Sequence, residues 1–342
     1  MPALSLRELA EKAGVCKATV SLALRDHPRI SPEQRARIQA IARKLGYRPD
    51  PAMARIAANG WRASRRRGGT PLAFVVGQPH PTARAGEPYL SAARAHASAL
   101  GYKLDRFALH DHGSPERLAQ VLHTRGVEGV VLFQITQPDF IARFPWEKFS
   151  AVACSLSQIP LPVPMTAPDF SLQMEETWKR LRALGRRRVG LALLRPMSDH
   201  DGLARAGVFA YQQHYGDKNA ARIPPTFFSD DPVAGRADFL AWVERWQPEV
   251  VVGLSEVFYW WLDSAGKRVP ADIEFVSLYG GRTREGSPVA GWDPRPEALG
   301  TAAIDLLDLQ IRSAHKGLLE FPQTLLIPSR WIEGATLRPE RA

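Results

Sequence analysis

The chain has 342 residues, of which 45% are hydrophobic and 23% are charged, and it contains only two cysteines. This composition is typical of a globular protein with two or three folding units, and it excludes a disulfide framework or a cysteine-based zinc site. No apolar run approaches the roughly 18 residues needed to span a bilayer. The N-terminal stretch MPALSLRELAEKAG is amphipathic where a signal peptide would be apolar, so we expect a cytoplasmic protein.

Charge is distributed unevenly along the chain. Residues 1–69 contain 15 Lys and Arg against 5 Asp and Glu, whereas the remaining residues contain 30 of each. The formal net charge of +10 therefore belongs to the first fifth of the chain. A small basic module attached to a neutral body is typical of a protein that binds a polyanion.

Three short helices are predicted within the first 46 residues. The first begins at a capping box formed by Ser5 and Glu8 and ends near Ala13. The third begins at a second capping box that opens with Ser31, and it ends at Gly46.

The second helix is predicted from about Lys17 to Arg25. Its apolar face carries Val20, Ala23 and Leu24, and its other face carries Lys17, Ala18, Ser21 and Leu22. Two helices joined by a turn containing glycine match the helix-turn-helix plan, in which the second helix enters the major groove of DNA. The alternative interpretation is a three-helix cap on an α/β body, which the local positive charge disfavours.

A basic linker follows the three helices. Asp50 and Pro51 are suited to begin a two-turn helix to about Ala58, which is too short to be stable without a partner. Four arginines come next, and they fit either a solvated linker or a set of phosphate contacts: Arg62, Arg65, Arg66 and Arg67. No role is assigned to Trp61 or to the run from Arg65 to Arg67.

From Pro71 onward, short strand-like segments alternate with helical ones. Seven segments are rich in Val, Leu and Phe: PLAFVVGQ, YKLDRFAL, GVEGVVLFQ, SAVACSL, RVGLALL, EVVVGLS and EFVSLY. Their spacing is that of βαβ units, so each is predicted to be a buried parallel strand. The predicted fold class is therefore an all-α helix-turn-helix head followed by an α/β body with two parallel-sheet lobes.

Polar side chains cluster in the loop after the strand VGLALL. Ligands of parallel sheets bind beyond the carboxyl ends of the strands, and this loop could hold a sugar-like or anionic ligand through Ser198, Asp199, His200, Asp201 and Arg205. A metal site is a weaker alternative, because the spacing fits no defined pattern. Five aromatic residues could line the same pocket, although core packing is expected for at least half of them: Phe258, Trp260, Trp261, Tyr279 and Trp292.

The N-terminal segment LSLRELAEKAGVCKATVSLALRDHPRISPEQRARIQAIARKLGYRPDPAMARIA resembles the DNA-binding head and hinge of the lactose/galactose repressor family of bacterial transcription regulators. Three later segments are similar to the closing segments of that family, in the same order: VPADIEFVSLYGG, PVAGWDPRPEALGTAAIDLLDLQI and LLIPSRWIEGATLRP. The resemblance implies a periplasmic-binding-protein-like body whose two lobes close on a small molecule.

The resemblance also implies roles for individual residues of the head. Base edges would be contacted by Lys17 and Ala18 at the start of the recognition helix, and by Ser21 and Leu22 one turn later. Contacts to the DNA backbone would come from Thr19, Ser5, Arg25 and Arg29. In the hinge, Ile56, with Met53 one turn earlier, would enter the minor groove and bend the duplex; the alternative is that these two residues only pair the hinge helices of a dimer.

Two residues of the head depart from the family pattern. Cys16 stands where serine, a better N-cap, is common. Leu22 stands where arginine is common, and leucine cannot form the bidentate hydrogen bond that identifies guanine. Leu22 can only press against a thymine methyl group or bury itself, so the preferred operator should differ from that of relatives with arginine.

The family's sugar-binding residues are mostly replaced in this sequence. The resemblance implies an arginine, an Asn-Asp pair and an aspartate in the pocket, and the corresponding places hold Ala204 with Arg205 beside it, Leu254 with Ser255, and Tyr279. The candidate effector-binding residues are Ser198, Asp199, His200, Asp201, Arg205, Ser255, Tyr279 and Trp292.

The predicted organisation is a head over residues 1–49, a hinge helix and basic linker over 50–70, and a body over 71–342. The first lobe is expected at about 71–160 and 298–325, and the second at about 161–297 and 326–342.

We expect a nucleoid-associated regulator, at least a homodimer, that binds operator DNA and a small effector such as a carbohydrate, with no cofactor, metal or catalytic residue. The alternatives are a small-molecule-binding protein, or an α/β enzyme, with a basic nucleic-acid-binding module; no G-x-S-x-G, P-loop or G-x-G-x-x-G motif supports the enzyme.

Overall fold

Two units make up the molecule, Met1–Arg67 and Gly68–Ala342. The computed structural model describes residues 6–24, 30–45, 47, 69–77, 86–154, 161–195, 199–216 and 218–339, without the side chains of residues 7, 18 and 199–201. The hinge and the basic linker predicted over residues 50–70 lie almost entirely outside these ranges.

The head contains the three predicted helices, α1 (Leu6–Ala13), α2 (Lys17–Leu24) and α3 (Pro32–Lys44). Gly14 ends α1 with φ of +66°, a left-handed conformation that glycine adopts at little cost. Ser31 caps α3, since its side-chain oxygen accepts a hydrogen bond of 3.3 Å from the backbone N–H of Gln34. Five of the described side chains are buried to at most 2% exposure where the helices meet: Leu9, Ala13, Val20, Ala23 and Ile38.

The first sheet of the body has the strand order β11-β5-β4-β3-β1-β2, and all its pairs are parallel. Its strands are β1 (Thr70–Val76), β2 (Tyr102–Ala108), β3 (Gly129–Phe133), β4 (Ser150–Cys154), β5 (Met165–Pro168) and β11 (Thr324–Ile327). The helices that belong to it are α4 (Glu87–Ala99), α5 (Pro115–Thr124), α6 (Phe140–Arg143) and α11 (Pro296–Arg312).

Both faces of this sheet are buried, which explains the continuous apolar runs of its strands. Along β1, Phe74 packs with the residues of α4 and α11, whereas Val75 points to the opposite face and packs with residues of α5 and α6. Both side chains have 0% exposure.

The second sheet has the order β12-β10-β9-β8-β6-β7 and is parallel except for the pair β10 and β12. Its strands are β6 (Val189–Arg195), β7 (Thr226–Ser229), β8 (Val250–Gly253), β9 (Glu274–Ser277), β10 (Gly291–Asp293) and β12 (Arg330–Ile332). Its helices are α7 (Phe170–Ala183), α8 (Asp199–Tyr211), α9 (Ala234–Trp246) and α10 (Val257–Ser264).

All seven strands predicted from the sequence are present, in two sheets as expected. The predicted lobe boundary near residue 160 is wrong by one strand, because β5 pairs with β4 and β11 in the first sheet. This strand has only four residues, MTAP, and lies among prolines, so it lacks the apolar run that marks the other buried strands.

The chain passes between the sheets three times, after β5, β10 and β11. Two of these crossovers run side by side, since the backbone N–H of Asp169 donates to the carbonyl of Ile327 at 3.0 Å. The third is tied to them by Asp293, whose carboxylate lies 2.6 Å from the guanidinium of Arg330. The carboxyl ends of the strands in both sheets are the edge where α/β proteins bind ligands.

Candidate functional site

The recognition helix α2 has one face in the core of the head and one face outside it. Val20 and Ala23 are fully buried, as predicted, whereas Lys17 is exposed and Thr19 and Ser21 are half-buried. The first turn of α2 therefore carries an exposed positive charge, that of Lys17, outside the core of the head.

Leu22 and Leu24 both lie at the margin of the head core. Each is half-buried and packs against the cluster that contains Val20 and Ile38. The sequence pattern predicted that Leu22 points outward, where it would either contact a thymine methyl group or be buried. In the structure, much of the Leu22 side chain is buried. Only part of its surface remains available to a thymine methyl group.

Cys16 occupies the N-cap position of α2 and is exposed. Its sulfur lies 3.1 Å from the hydroxyl oxygen of Thr19. Five further predicted DNA contacts fall outside the described residues: Ser5, Arg25, Arg29, Met53 and Ile56. The side chain of Ala18 is likewise outside the description.

The second candidate site lies at the carboxyl ends of strands β6, β8 and β9, where α8 begins. Ser198 and the side chains of Asp199, His200 and Asp201 lie outside the description. Arg205, one turn further along α8, is described and has 0% exposure; of the fully buried side chains it is the largest.

The guanidinium of Arg205 is enclosed by two aromatic rings. Its central carbon lies 4.2 Å from the ring centre of Phe170 and 5.4 Å from that of Tyr279. Cation–π contacts of this kind contribute up to about 2 kcal/mol when the pair is desolvated, and they offset part of the cost of burying the charge. The structure thus brings together two predicted pocket residues, Arg205 and Tyr279.

Gln173 of α7 completes the surroundings of Arg205. Its amide oxygen accepts a hydrogen bond of 2.5 Å from Nη1 of Arg205, and its amide nitrogen donates to the carbonyl of Leu278 at 3.0 Å. Gln173 and Phe170 were not predicted from the sequence, because both follow the crossover from β5, and that strand has no apolar signature. Once that crossover is located, a polar residue on the inner face of α7 is the signal that could have identified Gln173.

Other predicted pocket residues have structural partners. Ser255 is half-buried, and its hydroxyl accepts a bond of 3.4 Å from the N–H of Val257 at the start of α10. Trp292 is only 5% exposed, and its indole N–H donates to Thr177 at 2.8 Å, so its polar atom already has a partner within the core. Phe258 and Trp261 are also buried, which agrees with core packing for most of these aromatic residues.

Among the described residues, no group of three or more His, Cys, Asp or Glu could hold a metal ion. Within the same ranges, no helix is long and apolar enough to cross a membrane.

Comparison with known proteins identifies the head. The family model described as "Bacterial regulatory proteins, lacI family" matches residues 5–50, a stretch that includes all three helices. The match covers the head and does not extend into the body. The HTH-type transcriptional regulator AglR of Rhizobium meliloti (strain 1021) is 43% identical over 53 residues, which are 16% of this chain and 15% of that protein. The similarity in sequence to AglR thus covers only a small part of either protein.

Solved structures of lacI-family regulators share the fold of nearly the whole chain. The complex of the transcriptional regulator CelR with cellobiose has a TM-score of 0.62 and 18% identity, and covers 97% of this chain and 99% of its own. The lac repressor dimer bound to operator and the anti-inducer ONPF has a TM-score of 0.58 and 18% identity. The match covers 98% of this chain and 99% of the lac repressor chain. The lacI-type architecture, a helix-turn-helix head with a periplasmic-binding-protein-like body, is therefore confirmed.

Proposed function

We propose that this protein is a transcription regulator that acts as a repressor and binds a near-palindromic operator as a homodimer. The observation that carries the proposal is the lacI-type head, in which helix α2 presents Lys17 at an exposed helix start. The net charge of the first 69 residues supports it, since phosphate contacts by Lys and Arg supply most of the affinity of such proteins for DNA.

In this proposal the chain is organised as a head over residues 1–49, a hinge over 50–70 and a body over 71–342. The hinge places Ile56, with Met53, in the minor groove between the two heads of the dimer. Base contacts come from Lys17, Ala18, Ser21 and the exposed part of Leu22. Contacts to phosphates come from Ser5, Thr19, Arg25 and Arg29. Catalysis has no part in the proposed function.

The body binds a small effector between its two sheets. Arg205 and Tyr279 lie at the carboxyl ends of the second sheet, where the resemblance places the effector. A carbohydrate or a derivative is the proposed class, because the solved structure of CelR, which shares this fold, contains cellobiose. Effector binding shifts the population of lobe orientations and thereby changes the separation of the two heads.

The DNA-binding proposal is tested by selecting bound sequences from a randomised duplex pool with the full chain. We expect a near-palindromic consensus whose affinity falls by roughly three to five orders of magnitude between about 50 and 200 mM salt, as six to ten phosphate contacts predict. Lys17→Ala should relax the preference at one position in each half-site. Lys44→Ala removes the same charge from the far end of α3 and should leave the consensus unchanged. A salt-independent affinity, or no consensus, would reject the proposal in favour of an enzyme or a simple binding protein.

The effector proposal is tested by thermal shift with cellobiose and with glucose. A ligand that binds only the native state raises the unfolding temperature, and above Kd the rise grows with the logarithm of the ligand concentration. If a sugar raises the unfolding temperature of the wild type but not that of Arg205→Met, the result supports an effector site at Arg205. Equal shifts in both proteins would place the ligand elsewhere.

A further inference from the structure

Gln173 stands at the junction of three parts of the body, and its side chain is only 2% exposed. Its amide oxygen accepts from Arg205 at 2.5 Å, and its amide nitrogen donates to the carbonyl of Leu278 at 3.0 Å. The same nitrogen lies 3.4 Å from the hydroxyl of Ser329. One buried amide thus links a candidate effector-binding side chain to two other segments of the chain.

The two other segments are the edge of the second sheet and a crossover between the sheets. Leu278 directly follows β9, at the edge of the second sheet where the effector is proposed to bind. Ser329 lies between β11 and β12, in the crossover that joins the first sheet to the second. Gln173 itself lies just after the neighbouring crossover, and its backbone N–H donates to the carbonyl of Asp169 at 2.9 Å. A change in the hydrogen bonds of the Gln173 amide therefore affects the part of the chain that passes between the two lobes.

We propose that Gln173 is a positioning residue that couples Arg205 to the crossover at Ser329, and so transmits effector binding to the angle between the lobes. This inference rests on the proposed function, because it takes Arg205 as an effector contact. An amide has one acceptor side and one donor side, so only one orientation satisfies both Arg205 and the carbonyl of Leu278. When Arg205 turns toward an effector, the buried oxygen of Gln173 loses its donor, and a buried acceptor without a donor destabilises that arrangement. Rotation of the amide to a new partner breaks the bonds to Leu278 and Ser329, and this biases the crossover between two arrangements.

Thr177 provides a matched control on the same helix. It lies one turn beyond Gln173, is 1% exposed, and forms buried hydrogen bonds to the carbonyl of Gln173 at 2.7 Å and from Trp292 at 2.8 Å. Neither of these bonds involves Arg205, Leu278 or Ser329. Thr177→Val therefore removes the hydrogen bonds of an equally buried polar side chain without interrupting the proposed coupling.

The test measures the distance between the lobes by electron–electron double resonance. Nitroxide labels are attached at Ser98→Cys on α4 and Ala241→Cys on α9, two exposed positions on opposite lobes, in a Cys16→Ser background. The distance distribution is compared for the wild type, Arg205→Met, Ser329→Ala, Gln173→Leu and Thr177→Val, and for Arg205→Met combined with Gln173→Leu. Gln173→Glu keeps an acceptor for Arg205 but cannot donate to Leu278, and it replaces Gln173→Leu if that variant does not fold.

We expect Arg205→Met, Ser329→Ala and Gln173→Leu each to shift or broaden the interlobe distance, and Thr177→Val to leave it unchanged. In the Gln173→Leu background, Arg205→Met should have no additional effect, because the coupling is already broken. Equal effects of Arg205→Met in both backgrounds, or an effect of Thr177→Val as large as that of Gln173→Leu, would overturn the inference. Operator binding by the unlabelled wild type is measured separately, so its absence would refute the proposed function and not the coupling within the body.

Discussion

The side-chain amide of Gln39 on α3 donates a hydrogen bond of 3.0 Å to the backbone carbonyl of Ala23 near the end of the recognition helix α2. The last carbonyls of a helix have no partner within it, so this bond satisfies one of them and also fixes α2 against α3. Arg37 does the same for α1, since its guanidinium donates to the carbonyl of Ala13 at 2.7 Å. Helix α3 therefore holds the ends of both helices of the helix-turn-helix pair.

Replacing Gln39 should loosen the recognition helix. We expect Gln39→Leu to destabilise the head by about 1 kcal/mol, the usual net value of one such hydrogen bond. Operator affinity should fall by about fivefold, with a smaller loss on non-specific DNA. Fluorescence anisotropy with both duplexes measures this ratio. Gln34→Leu, an exposed change on the same helix, is the control; equal losses for the two variants would show that Gln39 has no special role.

The N-cap of α3 provides a second prediction. Ser31→Ala removes the acceptor for the N–H of Gln34 and should cost about 1 kcal/mol of helix stability. Hydrogen exchange at that amide, followed by mass spectrometry of the full chain, should accelerate by about fivefold. Ser31→Asp retains a capping oxygen and should exchange like the wild type; if it exchanges like Ser31→Ala, the cap does not stabilise the helix.

The two cysteines should differ in reactivity. Cys16 is exposed, whereas Cys154 has 0% exposure in β4, where burial raises the pKa of its thiol to about 12. Because the thiolate is the reactive form, iodoacetamide at pH 8 should modify Cys16 and spare Cys154 in the native protein. Peptide mass spectrometry distinguishes the two sites. Both should react in urea, and rapid native modification of Cys154 would contradict the burial.

A buried carboxylate in the second sheet should make stability depend on pH. Burial of Glu274 in β9 raises its pKa, but hydrogen bonds from Arg186 at 2.6 Å and Arg338 at 2.8 Å outweigh burial and lower the pKa overall. A carboxyl with a lowered native pKa stabilises the fold above its unfolded pKa, and this stabilisation is lost as the pH falls through the native pKa.

We expect Glu274→Gln to lower the free energy of unfolding at pH 7 by about 3 kcal/mol, as breaking a buried ion pair commonly does. The difference from the wild type should narrow as the pH falls through the lowered native pKa of Glu274, since the carboxyl then becomes protonated in the folded protein as well. Urea unfolding between pH 3 and 7 measures both effects. Glu116→Gln is the control: hydrogen bonding to Arg143 lowers the pKa of Glu116 to about 2, but the pair is exposed to solvent and should matter little. A pH-independent difference for Glu274→Gln would contradict the assignment.

Local patterns in the sequence were sufficient for the head and for the central strands. The caps and turn of the head involve residues only a few positions apart, such as Ser31 with Gln34, so their chemistry is visible in the sequence. The central strands are apolar on both faces, as in β1, and such runs are also visible. The five strands that were missed have three or four residues each, and most lie at sheet edges or crossovers: β5, β7, β10, β11 and β12.

A basic helix-turn-helix head on a body with two parallel sheets could be predicted from the sequence, because charge, helix caps and apolar runs are properties of neighbouring residues. The surroundings of Arg205, in contrast, depend on the tertiary structure. Phe170, Gln173 and Tyr279 reach Arg205 from α7 and from the loop after β9, which are separated from it by 32 or more residues. Their meeting depends on the crossover after β5, a short strand without an apolar signature, and on the order in which the strands of the second sheet pair.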